Sequence, residues 1–322
     1  FDAEDTECLY NEIYKFCWDK HIHIKQTFSI KVKGYSSVFE NRNYTTLKIK
    51  DAIVDQIKQK KLSRPSIDKY DPDIIISVFI TETHFKIYID SSGISLHKRG
   101  YRNKIHKASL NESLAAGLVM LSNWNGADPF YDTMCGSGTI PIEAALIAYN
   151  IAPGLLRNHF AFQKWNNYDE TLFYKVKSKA ESLINLKKNV QIYGFDLVFS
   201  NIAMALYSAK SLNLEKALIF KKQDMSHFKS KNKTGTVIIN PPYGERLNES
   251  DESLNLLYKM IGDIFKTECI GFDCYVFTAN LEASKFIGLK TQKKNVLKNG
   301  NLDSRLLYYP IEKGNYNKKG SV

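Results

Sequence analysis

The sequence predicts an α/β protein in which a doubly wound, mostly parallel sheet with helices on both faces follows a small α+β module. Three observations carry that expectation. From residue 109 onward, short apolar runs alternate with helical patterns, the rhythm of a parallel sheet with crossover helices. Before residue 100 the order is instead strand, helix and hairpin. At 322 residues the chain is long enough for two such domains.

In the first module, "TFSIKVKGY" alternates as a strand. "TLKIKDAIVDQIKQKK" places Ile49, Ala52, Ile53 and Ile57 on one helical face, and "RPSID" breaks that helix. "DIIISVFI", a "TETH" turn and "FKIYIDSSG" read as an antiparallel hairpin. The segment 97–107, "HKRGYRNKIHK", has seven Lys, Arg or His residues around Tyr101. It suits either a solvated linker or a phosphate-facing strap.

The second module opens with a helix over 109–122. "DPFYDTMCGSGT" then reads as a strand running into a Gly-rich turn, and "IPIEAALIAYN" as a core helix with Pro141 in its first turn. An aromatic, irregular insert, "IAPGLLRNHFAFQKWNNYDETLF", leads to a helix predicted through Lys188. Strands follow at "VQIYGFDL", "ALIFKKQDM", "TVIIN" and "CYVFTAN", with helices at "SNIAMALYSAKSLNL" and "SLNLLYKMIGDIFKT" between them. "TQKKNVLK" and "RLLYYPI" close the chain as a hairpin, adding antiparallel strands at the sheet edge.

Composition narrows the function classes. Hydrophobic residues at 43% and charged ones at 25% describe a water-soluble globular chain. No apolar run approaches the roughly 18–20 residues of a membrane span, so no membrane partner is expected. The five cysteines form no CxxC pair, which points to a reducing, cytoplasmic setting and no zinc site. His21 and His23 form an HxH without a third ligand, so no metal is expected. The net charge of +11 favours a polyanionic partner, as each neutralised phosphate releases counterions. The opening "FDAEDTECLY", with neither Met nor a signal pattern, reads as a fragment lacking its natural start.

The chemistry concentrates at strand ends. In "DTMCGSGT", Gly136 and Gly138 allow a sharp turn against a ligand, and Asp132 can accept from an ammonium or hydroxyl group. The motif lacks the third glycine of a dinucleotide site and the lysine of a phosphate loop, and a purely structural turn would fit it too. Asp196 in "YGFDL" is placed to accept from ribose hydroxyls, and Asp224 in "KKQDM" from an adenine amine. Either acid alone would also suit a helix N-cap. Together the three imply a ligand with an amino acid end, a ribose and an adenine but no phosphate, namely S-adenosylmethionine.

"NPPY" ends the fourth of these strands, on the same sheet edge. An exocyclic base amine is a poor nucleophile because its lone pair is delocalised into the ring. The Asn240 side-chain oxygen and the Pro241 carbonyl could grip its protons, and Tyr243 could stack on the base. The prolines hold φ near −65°, keeping those acceptors aimed. As a bare tetrapeptide the motif would also serve as a rigid turn.

These motifs in order resemble the THUMP-domain RNA guanine-N2-methyltransferases of the UPF0020 type, and most closely their bacterial large-subunit ribosomal RNA members. "LKIKDAIVDQI", "PDIIISVFI" and "DSSGISLHKRGYR" are similar to a THUMP domain and its exit, and "SLNESLAAGLV" to the helix entering the cofactor site. "NGNLDSRLLYYPI" is similar to the closing hairpin. The resemblance implies a Rossmann-like, seven-stranded S-adenosylmethionine-dependent methyltransferase fold over 102–322. It also implies a THUMP region over 1–101, with a remnant of an N-terminal ferredoxin-like segment. It assigns Asp132, Gly136 and Gly138 to the methionine side, Asp196 to the ribose and Asp224 to the adenine. Asn240, Pro241 and Tyr243 take the base site, while Asn111 and Glu112 approach the methionine end. The implied partner is 23S ribosomal RNA or a large-subunit precursor, met by a monomer with a single activity.

Thr133 stands where the family usually has proline. The alternatives are tRNA guanine-N2 methylation, adenine-N6 methylation of DNA, and a non-catalytic RNA-binding protein with a decayed enzyme core.

Overall fold

The computed structural model describes residues 1–102, 110–244 and 251–313. The chain divides into two compact units: Phe1–Leu96 with Arg157–Lys177, and His97–Leu156 with Ser178–Val322.

The first unit contains α1 (Thr6–Lys15), β1 (Thr27–Tyr35), α2 (Arg42–Lys61), β2 (Ser66–Ile67), β3 (Ile74–Thr81) and β4 (His84–Ile89). The sheet order is β2-β1-β3-β4, with β1 parallel to β2 and β3, and β4 antiparallel to β3. The apolar face foreseen for α2 is the face that is buried: Ile49, Ala52, Ile53 and Ile57 pack with Leu9, Ile13, Phe28, Val78 and Phe85. The aromatic insert folds into this unit. Arg157 donates to the carbonyls of Ser92 (3.1 Å) and Ile94 (2.7 Å), and Lys164 pairs with Asp73 at 3.0 Å. His23 accepts from the Lys25 amide and His21 stacks on Phe16, so the HxH serves local packing.

The second unit contains α3 (Glu112–Leu121), β5 (Phe130–Asp132), α4 (Thr139–Ala148), β6 (Ile192–Asp196), α6 (Phe199–Ser211), β7 (Leu218–Lys222), β8 (Gly235–Ile239), α7 (Asp251–Glu268), β9 (Phe272–Thr278), α8 (Leu281–Ser284), β10 (Lys293–Asn299) and β11 (Leu302–Pro310). Helix α5 (Glu170–Ser182) begins in the insert and ends in this unit. Its predicted extension to Lys188 does not form. Helix α5 has no buried residue, and beyond its end the Leu183 carbonyl accepts from Asn150 and the Asn185 side chain from the Lys187 amide. Such local side-chain bonds compete with helix continuation when packing does not reward it.

The seven strands lie in the order β10-β11-β9-β8-β5-β6-β7, parallel from β9 to β7, with the closing hairpin antiparallel at the edge. Both faces are buried. Ile238, Tyr275, Phe277 and Leu306 join one core with Leu118, Ile142 and Ile202 from the helices. Val237, Ile239, Val276 and Leu307 join the other with Ile261, Phe265 and Ile287. Period-two alternation thus feeds two cores, which explains the near-continuous apolar runs.

The basic segment 97–107 is partly internal. Arg99 and Tyr101 are buried and both donate to the Glu143 carboxylate, at 2.8 and 3.0 Å. Arg102 donates to the Leu110 carbonyl (2.9 Å) and to the Thr139 hydroxyl, with Glu112 at 3.7 Å. The expectation of a phosphate-facing strap is therefore corrected for Arg99, Tyr101 and Arg102, whose side chains lie inside the fold. Its residues from Asn103 to Lys107 lie outside the described residues.

Burial pushes the Glu143 carboxyl above the usual range, and the Arg99 guanidinium opposes that shift. Removing one partner of such a pair strands the other charge in the core. Glu143→Ala should therefore destabilise the protein by about 3–5 kcal/mol in urea melts. Glu143→Gln, which keeps an acceptor for Arg99 and Tyr101, should cost measurably less.

Candidate active site

Four neighbouring strands end on one edge of the sheet, in the spatial order β8, β5, β6, β7. The chain order reverses at β5, so a crevice opens there, as it does at the switch point of doubly wound sheets. A cavity of about 690 Å³ lies along this edge, within the size range of small-molecule sites. Its lining includes Asp132, Gly136, Asp196, Asp224, Asn240, Pro241 and Tyr243, all singled out from the sequence.

Asp132 ends β5 and is fully buried. One oxygen accepts from the Met134 amide at 3.1 Å, and the other has no hydrogen-bond partner among the described residues. Desolvation drives its pKa well above the usual carboxylate range, the Met134 bond opposes the shift, and the charge of Asp196 adds to it. A buried carboxylate oxygen with no donor, facing a cavity, fits a cationic ligand group.

Asp196 ends β6 and organises the turn opposite. One oxygen accepts from the Gly136 amide at 2.9 Å; the other accepts from the Val198 amide (2.9 Å) and the Asn201 side chain (3.0 Å). A carboxylate offers about four acceptor sites, so one stays available to a hydroxyl. Asp224, two residues beyond β7, accepts from the Ser226 amide at 2.8 Å and caps a short 3₁₀ turn. That bond is the main reason its carboxyl sits below the usual range. The N-cap role foreseen as an alternative is thus realised at Asp224, while the residue also faces the cavity.

The two glycines divide their work. Gly136 has φ +53°, and a Cβ there would meet nothing within 4 Å, so the backbone leaves open space toward a ligand. Gly138 has φ +80°, and a Cβ would lie 2.8 Å from Ala205 and Phe220. It caps α4, whose packing on α6 and β7 needs that close approach, and it does not line the cavity. Asn111 and Glu112 do not line it either. Asn111 caps α3 by accepting from the Ser113 and Leu114 amides, and Glu112 is buried beside Arg102.

The Asn240–Tyr243 loop is held from outside itself. The Tyr258 hydroxyl donates to the Pro242 carbonyl (3.3 Å) and pairs with Thr278 (2.6 Å), while the Asn280 amide donates to the Tyr243 carbonyl (3.1 Å). The Tyr243 hydroxyl donates to the Asn240 side-chain oxygen. Among the described residues nothing donates to the Pro241 carbonyl, so it remains an acceptor facing the cavity. Glu245 and Arg246 lie outside the described residues.

Sequence reasoning missed several lining residues. Leu197, Val198 and Met204 supply an apolar wall near Asp196; apolar residues directly after a strand-end acid were the available signal. Asn299 and Leu302 arrive from the closing hairpin; both stand in the "NGNLDSRLLYYPI" stretch, whose resemblance marked the hairpin without marking either residue as part of the cavity. Together, the unpartnered Asp132 oxygen, the spare capacity of Asp196 and the apolar wall fit the cation, ribose and adenine of S-adenosylmethionine. Among the described residues no group of three His, Cys, Asp or Glu side chains is placed to hold a metal ion. No described helix is long and apolar enough to cross a membrane.

Comparison with known proteins identifies the two domains. Residues 99–307 match the UPF0020 family model, described as an RMKL-like methyltransferase domain, and residues 3–90 match the THUMP domain. A Synechocystis sp. protein with a provisional RNA methyltransferase name is 34% identical over 97% of this chain and 80% of its own length. The ribosomal RNA large subunit methyltransferase K/L of Marinobacter nauticus is 37% identical over 98% of this chain but only 45% of its own length. This chain thus spans less than half of that relative. Among solved structures, SMU.472, provisionally a methyltransferase and complexed with SAH, superposes with a TM-score of 0.90 at 31% identity, covering 98% and 82% of the two chains. A Listeria monocytogenes protein, named by prediction an N6-adenine-specific DNA methylase, gives 0.86 at 30% identity, covering 97% and 80%.

A carboxyl whose pKa is raised by folding stabilises the fold fully below its unfolded value near 4, and that contribution is lost as pH rises through the folded value. Asp132 therefore makes the unliganded protein less stable at pH 8 than at pH 5. Asp132→Asn should remove that component, raising stability at pH 8 by roughly 1.4 kcal/mol per unit of the abolished shift. The same variant should bind S-adenosylhomocysteine at least tenfold more weakly by calorimetry.

Proposed function

This chain belongs to the UPF0020 family of RMKL-like methyltransferase domains and carries a THUMP domain, and on that premise we propose that it methylates guanine N2 in 23S ribosomal RNA using S-adenosylmethionine. The observation that carries the reading is the convergence of three strand-end acids and the "NPPY" loop on one cavity. The RNA assignment draws support from the THUMP match, the net charge of +11 and the K/L relative. The cytoplasm, where ribosomal RNA meets reduced thiols, suits its five free cysteines.

Bound in this cavity, S-adenosylmethionine supplies an electrophilic sulfonium methyl group. Asp132 holds the ammonium end, Asp196 the ribose hydroxyls and Asp224 the adenine amine. The acceptor amine sits against Asn240 and Pro241, whose oxygens accept hydrogen bonds from its two N–H groups and bring the nitrogen lone pair out of conjugation. One proton leaves to solvent once the methyl group has transferred. Within the loop the Tyr243 hydroxyl satisfies the Asn240 oxygen, so the base amine replaces one hydrogen bond with another rather than forcing a polar group to desolvate. Freed from that bond, the Tyr243 ring can stack on the base. Catalysis then rests on positioning and fixed dipoles. A target in paired RNA must first be extruded, at a few kcal/mol.

The test is transfer of radiolabel from S-adenosylmethionine to RNA of a strain lacking the enzyme, followed by nucleoside mapping. N2-methylguanine in large-subunit RNA is expected. Label confined to tRNA would overturn the ribosomal assignment, and N6-methyladenine the guanine one. Asn240→Ala should lower kcat by about 10²–10³-fold, the usual loss for one preorganised polar group. Tyr243→Phe should keep most activity, whereas Tyr243→Ala should lose stacking of about 1–3 kcal/mol per base.

A further inference from the structure

The closing hairpin reaches beyond the sheet that carries it. Strand β11 begins at Leu302, yet its pairing with β9 begins only at Arg305, opposite Thr278, the last residue of β9. Leu302 to Ser304 therefore project past the end of β9 by roughly 10 Å, at about 3.3 Å per residue. Strand β9 runs parallel to β8, so this overhang rises from the carboxyl edge on which Asn240 stands. Asn299 and Leu302 are paired across the two-residue Gly300–Asn301 connection, which puts their side chains on one face of the hairpin. Both line the cavity.

The strand order says which half of the cavity they border. Along the edge the sequence is β11, β9, β8, β5, β6, β7, so the hairpin adjoins the Asn240 end and is farthest from Asp196 and Asp224. We propose that the hairpin tip is the distal wall of the acceptor-base site, with the Asn299 carboxamide reading the base edge and Leu302 packing on its ring. This rests on the guanine-N2 reading and deepens it. A carboxamide carries one acceptor and two donors side by side. Guanine, held by its N2 amine at Asn240, presents its N1–H donor and O6 acceptor next along that edge, which satisfies both halves of the amide. Adenine, held by N6, presents only acceptors to either side and leaves the amide oxygen unpaired. An unpaired buried polar group is the strongest available source of discrimination between two similar bases.

The proposal is tested with Asn299→Ala, Asn299→Asp and Leu302→Ala in the full chain. RNA turnover, RNA affinity in the presence of S-adenosylhomocysteine, affinity for S-adenosylhomocysteine alone and thermal melting are measured for each. Turnover and RNA affinity should fall at least tenfold in Asn299→Ala. Asn299→Asp, which sets a second acceptor against O6, should fall at least as far. Leu302→Ala should weaken RNA affinity, while in all three variants the melting temperature stays at the wild-type value and S-adenosylhomocysteine affinity stays within twofold of wild type. The proposal is overturned if both alanine variants keep wild-type turnover and RNA affinity, or if S-adenosylhomocysteine affinity falls in step with them. A wild-type product of N6-methyladenine would sink the guanine reading and the edge-reading role of Asn299 together. The RNA affinity of Leu302→Ala would still decide whether the tip walls the base site.

Discussion

One hydrogen bond sets the geometry on which the site depends, that from the Gly136 amide to the Asp196 carboxylate at 2.9 Å. It ties the turn after β5 to the end of β6, while the Cys135 amide donates to the Phe195 carbonyl in the same stretch at 2.8 Å. Two adjacent strand ends are thereby fixed to each other through backbone and carboxylate rather than through mobile side chains. The Asp196 oxygen so used cannot swing away, and Asn201 and Val198 hold its partner. A hydroxyl brought to this carboxylate would meet an acceptor already aimed, with little left to order. The positive φ of Gly136 is what lets the amide point inward at this place, with open space where a side chain would stand.

Preorganisation at Asp132 carries the opposite sign in stability. A fully buried carboxyl with one unpartnered oxygen favours its protonated form, and the nearby Asp196 charge deepens that preference. An ammonium group would reverse both terms at once by supplying a donor and a compensating charge. The fold thus tolerates a local cost at Asp132, of the kind found at functional sites. Glu143 shows how the same residue class is handled where no ligand comes: it is also buried, yet Arg99 and Tyr101 satisfy it permanently.

The contrast between these two acids marks what the sequence could and could not convey. Periodicity located nearly every strand and helix of the large sheet, because Val237, Ile238 and Ile239 or Val276 and Phe277 must be apolar to fill a core on each face. The strand-end position of the acids was legible, since a short apolar run followed by Asp marks the end of a strand, but the same pattern suits an N-cap, a part that Asp224 also plays. Arg99 and Arg102 were not legible as internal residues. Their charge suggests a surface, and burial is made tolerable by Glu143 for Arg99 and by Leu110, Glu112 and Thr139 for Arg102. Gly138 resembled a ligand-binding glycine, but its small size serves contacts with Ala205 and Phe220, which are 67 and more residues away. Asn299 and Leu302 were invisible for a similar reason. Their place above the sheet edge follows from the register of β11 on β9, and a one-residue slip would turn them to the other face.

The "NPPY" loop shows why that distant support is necessary. Two prolines remove two amide donors, so the loop cannot brace itself by backbone hydrogen bonds as an ordinary turn does. It is held instead through its carbonyls, by Tyr258 from α7 and by Asn280 from the residues after β9. Tyr258 is buried deeply enough to push its phenol up to about 12, so it stays a donor across physiological pH. With the Pro242 and Tyr243 carbonyls taken, the acceptors on the cavity side are the Asn240 side-chain oxygen, which accepts from the Tyr243 hydroxyl, and the Pro241 carbonyl, which has no donor among the described residues. The rigidity of the prolines and the outside bracing are therefore two parts of one device. The prolines exclude donors that would compete for the acceptors, and the bracing fixes where those acceptors point.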